Sequence, residues 1–314
     1  MIKKEFGKIG VLMGGPSAER EISLKSGKAV YKALSEAGFE VLAIDIVSDN
    51  PQLNAKILEE SKIDVAFIAL HGAFGEDGLI QSILENLDIP YTGSGPRASS
   101  LAMDKVASRR IFQESGLSVP KYVEIRDRDY ELNNTLSPPL VVKPVSNGSS
   151  IGLSIVEEAS DLARALEIAF SLDKRVIVEE YIAGREFTVG ILDKAALPVI
   201  EIKPRNKFFD FEAKYKAGMT DYIVPAEIPQ DLSLRAQDAG LAAHRALGCN
   251  GFSRVDMILG QDEKFYILEL NSIPGLTETS LLPKAAGAIG IDFLKLCTIL
   301  IEAAYEKAKD KAAN

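Results

Sequence analysis

Four polar side chains stand at strand spacing on two neighbouring segments near the C-terminus. Arg254 and Asp256 are two residues apart, and so are Glu269 and Asn271. Side chains two apart on a strand share a face. The turn-rich stretch 260–264 between them predicts a hairpin that sets Asp256 opposite Glu269 and Arg254 opposite Asn271, to within one register step. Carboxylate and amide oxygens gathered in this way suit Mg²⁺ bound together with substrate phosphates, although the spacing alone fits a solvated, salt-bridged hairpin face equally well.

A glycine- and serine-rich loop with a lysine at its base is the second candidate site. Lys143 ends an apolar segment, and the loop 145–152 follows it. Backbone N–H groups and hydroxyls of such a loop can bind phosphate oxygens, and Lys143 would add a positive charge. The loop has neither the Gly-Lys-Ser/Thr of a Walker A sequence nor a Gly-x-Gly-x-x-Gly turn. Taken alone, it would be interpreted as an exposed hairpin connection.

Length and charge limit the classes of function. The chain has 314 residues, more than the roughly 250–300 at which one core usually stops growing, so two or three subdomains are expected. The formal net charge of −9 argues against a nucleic-acid partner. The apolar runs are too short for a membrane span or a signal peptide. Cys249 and Cys297 are too far apart to form a metal-type pair. A reduced, cytoplasmic setting is expected.

The N-terminal third has the alternation of an open parallel sheet. Apolar strands are predicted at 9–13, 41–46 and 65–70. A helix is predicted from about Ser23 to Ala37 after the first strand, and Gly38 ends it. Ligands of such sheets bind at the carboxyl ends of the strands. The stretches 14–19 and 71–72 lie at such ends and are therefore expected to contribute to a site.

The rest of the chain is predicted to be mixed α+β. A helix at 98–115, strands at 140–144, 153–156 and 175–181, and helices at 161–171 and 232–247 precede a C-terminal helix. We expect three domains: an N-terminal α/β domain at 1–96, a central lobe at 97–183, and a C-terminal lobe at 184–314 that carries the acidic hairpin.

The order of these motifs resembles that of the ATP-grasp enzymes. A strand with a lysine, a glycine loop, a strand with a glutamate, a Gly-x-Glu-Phe-Thr turn and Arg-x-Asp…Glu-x-Asn follow one another. The resemblance implies an ATP-grasp fold of α/β and α+β type: an N-terminal parallel-sheet (pre-ATP-grasp) domain and two α+β lobes that clamp ATP, with the glycine loop over the phosphates.

Further motifs are similar to those of the D-alanine–D-alanine ligases. They lie at 13–23, 70–78, 90–95, 103–105, 212–215 and 271–277, and they occur in the right order over nearly the whole chain. This resemblance implies ATP-dependent ligation of two D-alanines through an acyl phosphate, for peptidoglycan precursor synthesis. A homodimer is also implied by the resemblance alone.

The resemblance assigns residues to the nucleotide and the metal. Lys105 and Lys143 would contact the α and β phosphates, and Lys214 the γ phosphate. Glu179 would accept a hydrogen bond from the adenine amino group and Glu186 from the ribose. The remaining residues assigned to the nucleotide are Ile182, Phe208 and Leu268, the last two on either side of the adenine ring. Two Mg²⁺ ions, for which Mn²⁺ is a possible substitute, would be held by Asp256, Glu269 and Asn271.

Other residues are assigned to the amino acids and the chemistry. Glu19 would pair with the ammonium of the first D-alanine, with His71 near it. Arg254 and the backbone N–H of Gly275 would stabilise the oxyanion of the tetrahedral intermediate. The carboxylate of the second D-alanine would be held by Ser280 and Leu281. A hydrogen-bonded triad of Glu19, Ser149 and Tyr215 would close the site against water.

Alternatives remain open from the sequence. The second substrate could be D-serine or D-lactate, because Glu278 and Thr279 add a carboxylate and a hydroxyl beside the expected acceptor pocket. A regulatory nucleotide-binding protein would be expected to lack a metal ligand or Lys214, and all of these are present. A dinucleotide oxidoreductase built on the first sheet is disfavoured by the missing Gly-x-Gly-x-x-Gly.

Overall fold

Apolar runs joined by helices form the predicted parallel sheet at the N-terminus. The computed structural model describes residues 6–126, 135–204 and 219–313. Its first elements are β1 (Ile9–Gly14), α1 (Arg20–Glu36), β2 (Val41–Ile46), α2 (Pro51–Ser61), β3 (Val65–Ile68) and α3 (Leu79–Asn86). The strands lie in the order β2–β1–β3, and both pairs are parallel. The parallel-sheet prediction is confirmed.

The central part adds two helices and an antiparallel sheet. These are α4 (Pro96–Met103), α5 (Lys105–Glu114), β4 (Tyr122–Ile125), β5 (Leu140–Pro144), β6 (Ser154–Val156), α6 (Leu162–Phe170) and β7 (Val176–Glu180), with sheet order β4–β7–β5–β6. The single helix expected at 98–115 is wrong. It is divided at Asp104, whose extended backbone lets its carboxylate cap α5 through the N–H groups of Val106 and Ala107.

The third part is a six-stranded antiparallel sheet with flanking helices. Its elements are β8 (Gly184–Leu192), β9 (Ala195–Ala196), β10 (Ile200–Pro204), β11 (Thr220–Ile223), α7 (Gln230–Ala246), β12 (Phe252–Gly260), β13 (Phe265–Asn271), α8 (Leu281–Gly287) and α9 (Phe293–Ala313). The order is β11–β10–β8–β12–β13, with β9 paired to β8. Among the described residues, no helix is long and apolar enough to span a membrane.

A β-bulge sets the register of the acidic hairpin. Next to the turn, Leu259 pairs with Phe265, a register centred on Asp262. Continued unchanged, it would set Asp256 opposite Leu268. A shift between Asp256 and Met257 instead sets Asp256 opposite Glu269. Because a bulge inserts one residue, it restores the register predicted from the spacing.

The same bulge changes what the hairpin presents to the site. Phe265, Ile267 and Leu270 are buried in the apolar core, whereas Leu268 and Glu269 both line the cavity described below. Two adjacent residues on one face break the strict alternation of a strand. The bulge thus gives an apolar and an acidic side chain to one site.

The apolar clusters of the structure do not coincide with the three domains expected along the chain. The N-terminal sheet packs in one cluster with residues of the C-terminal helix α9, such as Leu296 and Leu300. The phenol of Tyr305 donates to the carbonyl of Phe6, which joins the two ends of the chain. Helices α4 and α5 share a cluster with the six-stranded sheet, and the four-stranded sheet has its own. The division at 96 and 183 stays a prediction about chain segments.

Candidate active site

A cavity of about 600 Å³ is lined by residues of both antiparallel sheets. It contains eight of the residues assigned to nucleotide and metal: Lys105, Lys143, Glu179, Ile182, Glu186, Asp256, Leu268 and Glu269. Apolar side chains such as Val141 and Met257 complete the walls. An apolar slot with a few charged groups at defined places is typical of a small-molecule site. Three assigned residues, Phe208, Lys214 and Tyr215, lie outside the described part of the chain.

Lys143 and Glu179 form a buried ion pair at the base of the cavity. Their strands pair so that Glu179 lies opposite Val141, two residues from Lys143 and on the same face. The Lys143 Nζ lies 2.8 Å from a Glu179 oxygen, and both side chains are buried. Burial lowers the pKa of Lys143 to about 8 against the opposing charge of Glu179.

A second cation, Lys105, joins three parts of the site. It is the first residue of α5, and its Nζ donates to the carbonyl of Asn147 in the glycine loop at 2.6 Å. The same atom lies 3.9 Å from a Glu269 oxygen on the hairpin. The Asp104 cap, which sequence analysis missed, positions this lysine by starting α5 there. Lys105 therefore connects a helix, the loop and the hairpin.

The four polar groups of the hairpin converge, as their spacing predicts. Arg254 donates to both oxygens of Asp256, at 2.8 and 2.7 Å. Thr188 donates its hydroxyl to Asp256 at 2.6 Å, and Asn271 donates its amide N–H at 3.2 Å. Glu269 lies directly opposite Asp256. In this arrangement Arg254 is the fixed counter-ion of Asp256.

The hairpin can supply some of the ligands of a cation whose other ligands are substrate phosphates. No group of three or more His, Cys, Asp or Glu side chains that could enclose a metal occurs in the described residues. Two carboxylates, Asp256 and Glu269, stand beside the amide of Asn271, whose N–H is turned toward Asp256. Mg²⁺ is usually held by one or two carboxylates together with phosphates rather than by an all-protein cage. The donor set is suitable for Mg²⁺ in that mode.

The glycine loop reaches the N-terminal part of the molecule. Ser149 and Ser150 have positive φ angles of 54° and 56°, and Ser149 donates its hydroxyl to the carboxylate of Glu19. A Cβ at Gly148 would lie only 3.0 Å from a Glu19 oxygen, so glycine permits this approach. Two members of the expected triad, Glu19 and Ser149, are in contact.

His71 joins the end of β3 to the loop after the acidic hairpin. One ring nitrogen, Nδ1, lies 3.1 Å from the carbonyl of Ile273, and the other, Nε2, lies 2.9 Å from the hydroxyl of Ser26. The carbonyl can only accept, so Nδ1 carries the proton and Nε2 accepts from Ser26. That hydroxyl accepts in turn from the backbone N–H of Leu276 at 3.3 Å. Burial lowers the pKa of His71 to about 4, so the ring is neutral.

Sequence analysis missed Glu76, although it lies within the quoted motif at 70–78. Its carboxylate accepts from the N–H of Gly72 at 2.7 Å. Desolvation, followed by the nearby charge of Glu19, raises the pKa of Glu76 to about 8, while the N–H groups of Gly72 and Ile273 and the charge of Arg254 oppose the shift. A strongly shifted carboxylate in a cleft is a typical functional feature. No spacing rule indicated it, because the burial and the charges that shift its pKa, those of Glu19 and Arg254, come from distant segments.

The residues assigned to the second amino acid meet at the start of α8. Ser280 precedes this helix with an extended backbone. Its hydroxyl accepts from the N–H of Thr277 at 3.1 Å and lies 3.1 Å from where a Cβ on Gly275 would be. Leu281 is buried beside it. Gly275, Ser280 and Leu281 are therefore brought together on one side of the hairpin.

Comparison with known proteins agrees with this arrangement. The family model described as D-ala D-ala ligase C-terminus matches residues 111–302, and the one described as D-ala D-ala ligase N-terminus matches residues 8–57 and 47–94. The chain is 51% identical over 290 residues to a D-alanine–D-alanine ligase of Syntrophotalea carbinolica, covering 92% of this chain and 93% of the relative. It is 50% identical over 302 residues to one of Geotalea uraniireducens, covering 96% of each chain.

Solved structures give the same result. A D-alanine–D-alanine ligase from Bacillus anthracis superimposes with a TM-score of 0.88 at 39% identity, and a structure of a D-alanine–D-alanine ligase from Bacillus anthracis complexed with ATP superimposes with a TM-score of 0.86 at 36% identity. Each alignment covers 97% of this chain and 99% of the other. The VanG D-Ala:D-Ser ligase of Enterococcus faecalis has a TM-score of 0.83 at 33% identity, covering 95% and 99%. At these identities and coverages, the protein belongs to the D-alanine–D-alanine ligase family.

Proposed function

We propose that this protein joins two D-alanines into D-alanyl-D-alanine at the expense of ATP, and that it supplies a peptidoglycan precursor. ATP would phosphorylate the carboxylate of the first D-alanine, and the amine of the second would displace phosphate from the acyl phosphate. The observation that supports this most directly is the cavity in which two buried lysines and the hairpin carboxylates meet.

Charge explains why such a site is needed. A carboxylate that approaches the γ phosphate is repelled by about 1 kcal/mol at 4 Å in water and by about 4 kcal/mol at an effective dielectric constant of 20. The described cluster around Lys143 contains three cations, Lys105, Arg109 and Lys143, and two carboxylates, Glu179 and Glu269. Two of these cations, Lys105 and Lys143, line the cavity, where their ammonium groups can bind phosphate oxygens.

The metal is expected at the hairpin. Asp256, Glu269 and Asn271 would hold Mg²⁺, which would neutralise phosphate charge during the transfer. Lys105 and Lys143 would orient the α and β phosphates, and Lys214 the γ phosphate. Mn²⁺ is proposed as a substitute because it accepts the same oxygen ligands.

Arg254 lies at the junction between nucleotide and amino acids. It contacts Asp256, and its charge also acts on His71 and Glu76. A guanidinium held there can stabilise the oxyanion that forms when the amine attacks the acyl phosphate. The backbone N–H of Gly275 is proposed as the second donor.

Two carboxylates, Glu19 and Glu76, are suited to the ammonium of the first D-alanine. Both carboxylates lie against Gly72: a Glu19 oxygen is 2.6 Å from where a Cβ on Gly72 would be, and Glu76 accepts from the Gly72 N–H at 2.7 Å. The charge of Glu19 accordingly raises the pKa of Glu76. A cation between them would relieve this repulsion. Ser280 and the backbone at Leu281 are proposed to hold the carboxylate of the second amino acid.

Closure of the glycine loop would protect the acyl phosphate from water. The Ser149–Glu19 hydrogen bond joins this loop to the N-terminal domain over 130 residues of sequence. Closing an active site excludes the water that would hydrolyse a reactive intermediate. Tyr215 is proposed to complete the closed state.

The test is phosphate release from ATP with Mg²⁺ and D-alanine, combined with mass analysis of the product. We expect D-alanyl-D-alanine in a strictly metal-dependent reaction. Parallel reactions replace half of the D-alanine with D-serine or D-lactate, or use L-alanine throughout. A mixed product formed in preference to the D-alanine dimer would change the acceptor assignment, as in the D-Ala:D-Ser ligase that shares this fold. No release with any acceptor would contradict the proposed function.

Two further proposals come from the family resemblance. The protein is proposed to be a homodimer, which light scattering behind size-exclusion chromatography would test. It is also proposed to act in the cytoplasm, where ATP is available. Fractionation of cells that produce the protein would test this second proposal.

A further inference from the structure

Arg109 is a fully buried arginine that none of the assigned functions uses. It lies on the inner face of α5, one helical turn after Lys105, and its exposed fraction is 0%. Its Nη2 atom lies 2.6 Å from an oxygen of Glu179. The same nitrogen donates to the backbone carbonyl of Leu268 at 3.1 Å. Arg109 therefore contacts one residue from each of the two sheets that line the cavity.

A purely stabilising role explains this arginine poorly. Within the described part of the chain, its buried Nε and Nη1 groups reach no hydrogen-bond acceptor. An unsatisfied buried donor costs on the order of 1–3 kcal/mol, and more for a charged group. Well-packed apolar residues in place of a buried ion pair are often neutral or stabilising. A buried charge with incomplete hydrogen bonding is therefore better explained by the geometry that it imposes on its neighbours.

That geometry concerns the end of the cavity assigned to the base. Glu179 is the residue assigned to the adenine amino group, and Leu268 is assigned to one face of the ring. Leu268 is also the extra residue of the bulge, between Ile267 and Glu269, which pair with Met257 and Asp256, so its carbonyl is available to a side-chain donor. Arg109 holds both residues through one nitrogen. The Lys143 Nζ lies 2.8 Å from the other oxygen of Glu179, so this carboxylate contacts two cations.

We propose that Arg109 is the positioning residue of the base pocket. It keeps Glu179 as a fixed, acceptor-only carboxylate and holds the Leu268 backbone beside it. An ionised carboxylate can only accept hydrogen bonds. It therefore favours a purine with an exocyclic amino donor and repels one with an oxo group at the same place. Arg109 would thus contribute to the preference for adenine nucleotides without touching them.

The inference rests on the proposed use of ATP, so its test measures binding as well as turnover. Calorimetry with ADP and IDP compares an amino purine with an oxo purine in the whole protein. Turnover with ATP and ITP follows in parallel. The variants are R109M, which removes the charge, and R109K, which keeps the charge but loses the planar guanidinium group. The matched control is R110M, at the next position of α5, where the side chain is 78% exposed and pairs with Glu114.

We expect R109M to weaken ADP binding by about 10-fold and to reduce the ADP-to-IDP preference by about 10-fold. The KM for ATP should rise, whereas kcat should stay within roughly 3-fold of the parent value and the KM for D-alanine should be unchanged. A change in KM without a matching change in kcat is typical of lost ground-state positioning. R109K should fall between R109M and the parent, and R110M should match the parent. An unchanged ADP-to-IDP preference in folded R109M would overturn the inference.

A double-mutant cycle separates positioning from a general packing effect. If Arg109 acts through Glu179, R109M/E179Q should show the same ADP-to-IDP preference as E179Q alone. Additive effects would overturn the inference. This pair also serves if R109M fails to fold, because E179Q removes the buried carboxylate that would have lost one of its two cations. A parent protein that binds ADP in preference to IDP but makes no dipeptide would contradict the proposed function and leave the Arg109 assignment standing.

Discussion

The acidic hairpin was assembled differently from the closure contacts, a name used here for the Ser149–Glu19 and His71–Ile273 contacts and the buried Glu76 beside them. In the hairpin, Asn271 reaches Asp256 across 15 residues of sequence. In the closure contacts, Ser149 reaches Glu19 across 130 residues, and His71 reaches Ile273 across 202. Strand periodicity constrains the first kind of contact. The second kind depends on how whole sheets and helices pack, so spacing carries no information about it.

The two parts also differ in charge. The hairpin pairs its charges directly, with Arg254 on Asp256 and Lys105 near Glu269. The closure contacts bury groups whose charged forms are disfavoured: His71 with a lowered pKa and Glu76 with a raised one. We therefore expect mutations in the hairpin to affect catalysis most, and mutations in the closure contacts to affect closure and the pH dependence of stability.

The largest effect is expected for Glu269→Gln. Removing a carboxylate that is proposed to hold Mg²⁺ against the phosphates should lower kcat by about 10²- to 10³-fold, the loss typical of one missing electrostatic stabiliser. The fold should be retained because Glu269 lies at the cavity wall rather than in the apolar core. Phosphate release and thermal unfolding measure the two quantities. Glu263→Gln, at the exposed tip of the same hairpin, is the control, and a fully active Glu269→Gln would exclude the metal role.

A smaller loss is expected for Ser149→Ala, which cuts the closure contact. A hydrogen bond to a charged group contributes about 1.5–3 kcal/mol, so the population of the closed state should fall by roughly 10- to 100-fold. Turnover should fall while ADP binding changes little, and uncoupled hydrolysis of ATP should rise. Ser146→Ala, in the same loop, is the matched control. Equal turnover in both variants would show that the Glu19 contact does not govern closure.

Acid should weaken the contacts of two buried histidines: His71, and His244 of α7, whose Nδ1 lies 2.7 Å from the hydroxyl of Ser253 in β12. Burial lowers the pKa of both histidines, His71 and His244, to about 4. Between pH 6.5 and 4 the unfolded chain binds protons that the folded chain does not, so this stability is complete above pH 6.5 and is lost as the pH falls. Each histidine should cost about 2 kcal/mol between pH 7 and pH 5. Urea unfolding at the two pH values measures this. His71→Asn should show a smaller loss, and an unchanged loss would contradict the assignment.

A gain in stability with the opposite pH dependence is expected for Glu76→Gln. Because the folded pKa of Glu76 is raised to about 8, its contribution is present below pH 4.5 and is lost as the pH rises toward 8. Glutamine keeps an acceptor for the N–H of Gly72 without this loss. The melting temperature of the variant should therefore exceed that of the parent by more at pH 8 than at pH 5. The same gain at both pH values would show that the titration of Glu76 is not the cause.

Much of the fold and site could be predicted because the relevant patterns are local. Period-two spacing predicted that Asp256 faces Glu269, and the alternation of apolar runs and helices predicted the parallel sheet. The family motifs indicated Lys105, Lys143 and Glu179, which line one cavity. Their individual roles stay predictions, as do those of Phe208, Lys214 and Tyr215 outside the described residues. The helix at 98–115 was predicted wrongly because helical periodicity outweighed the signal of an Asp cap.

By itself, the sequence determined which residue types are present, their spacing within each element, and hence the family and the hairpin register. Only the tertiary structure decided that a bulge turns Leu268 and Glu269 to one face. The same is true of the contacts of Arg109 with Glu179 and Leu268, and of the closeness of the Glu19 and Glu76 carboxylates. The physical reason is that pKa values and buried ion pairs depend on desolvation and on charges brought close from distant segments. Neither quantity is defined until the chain is packed.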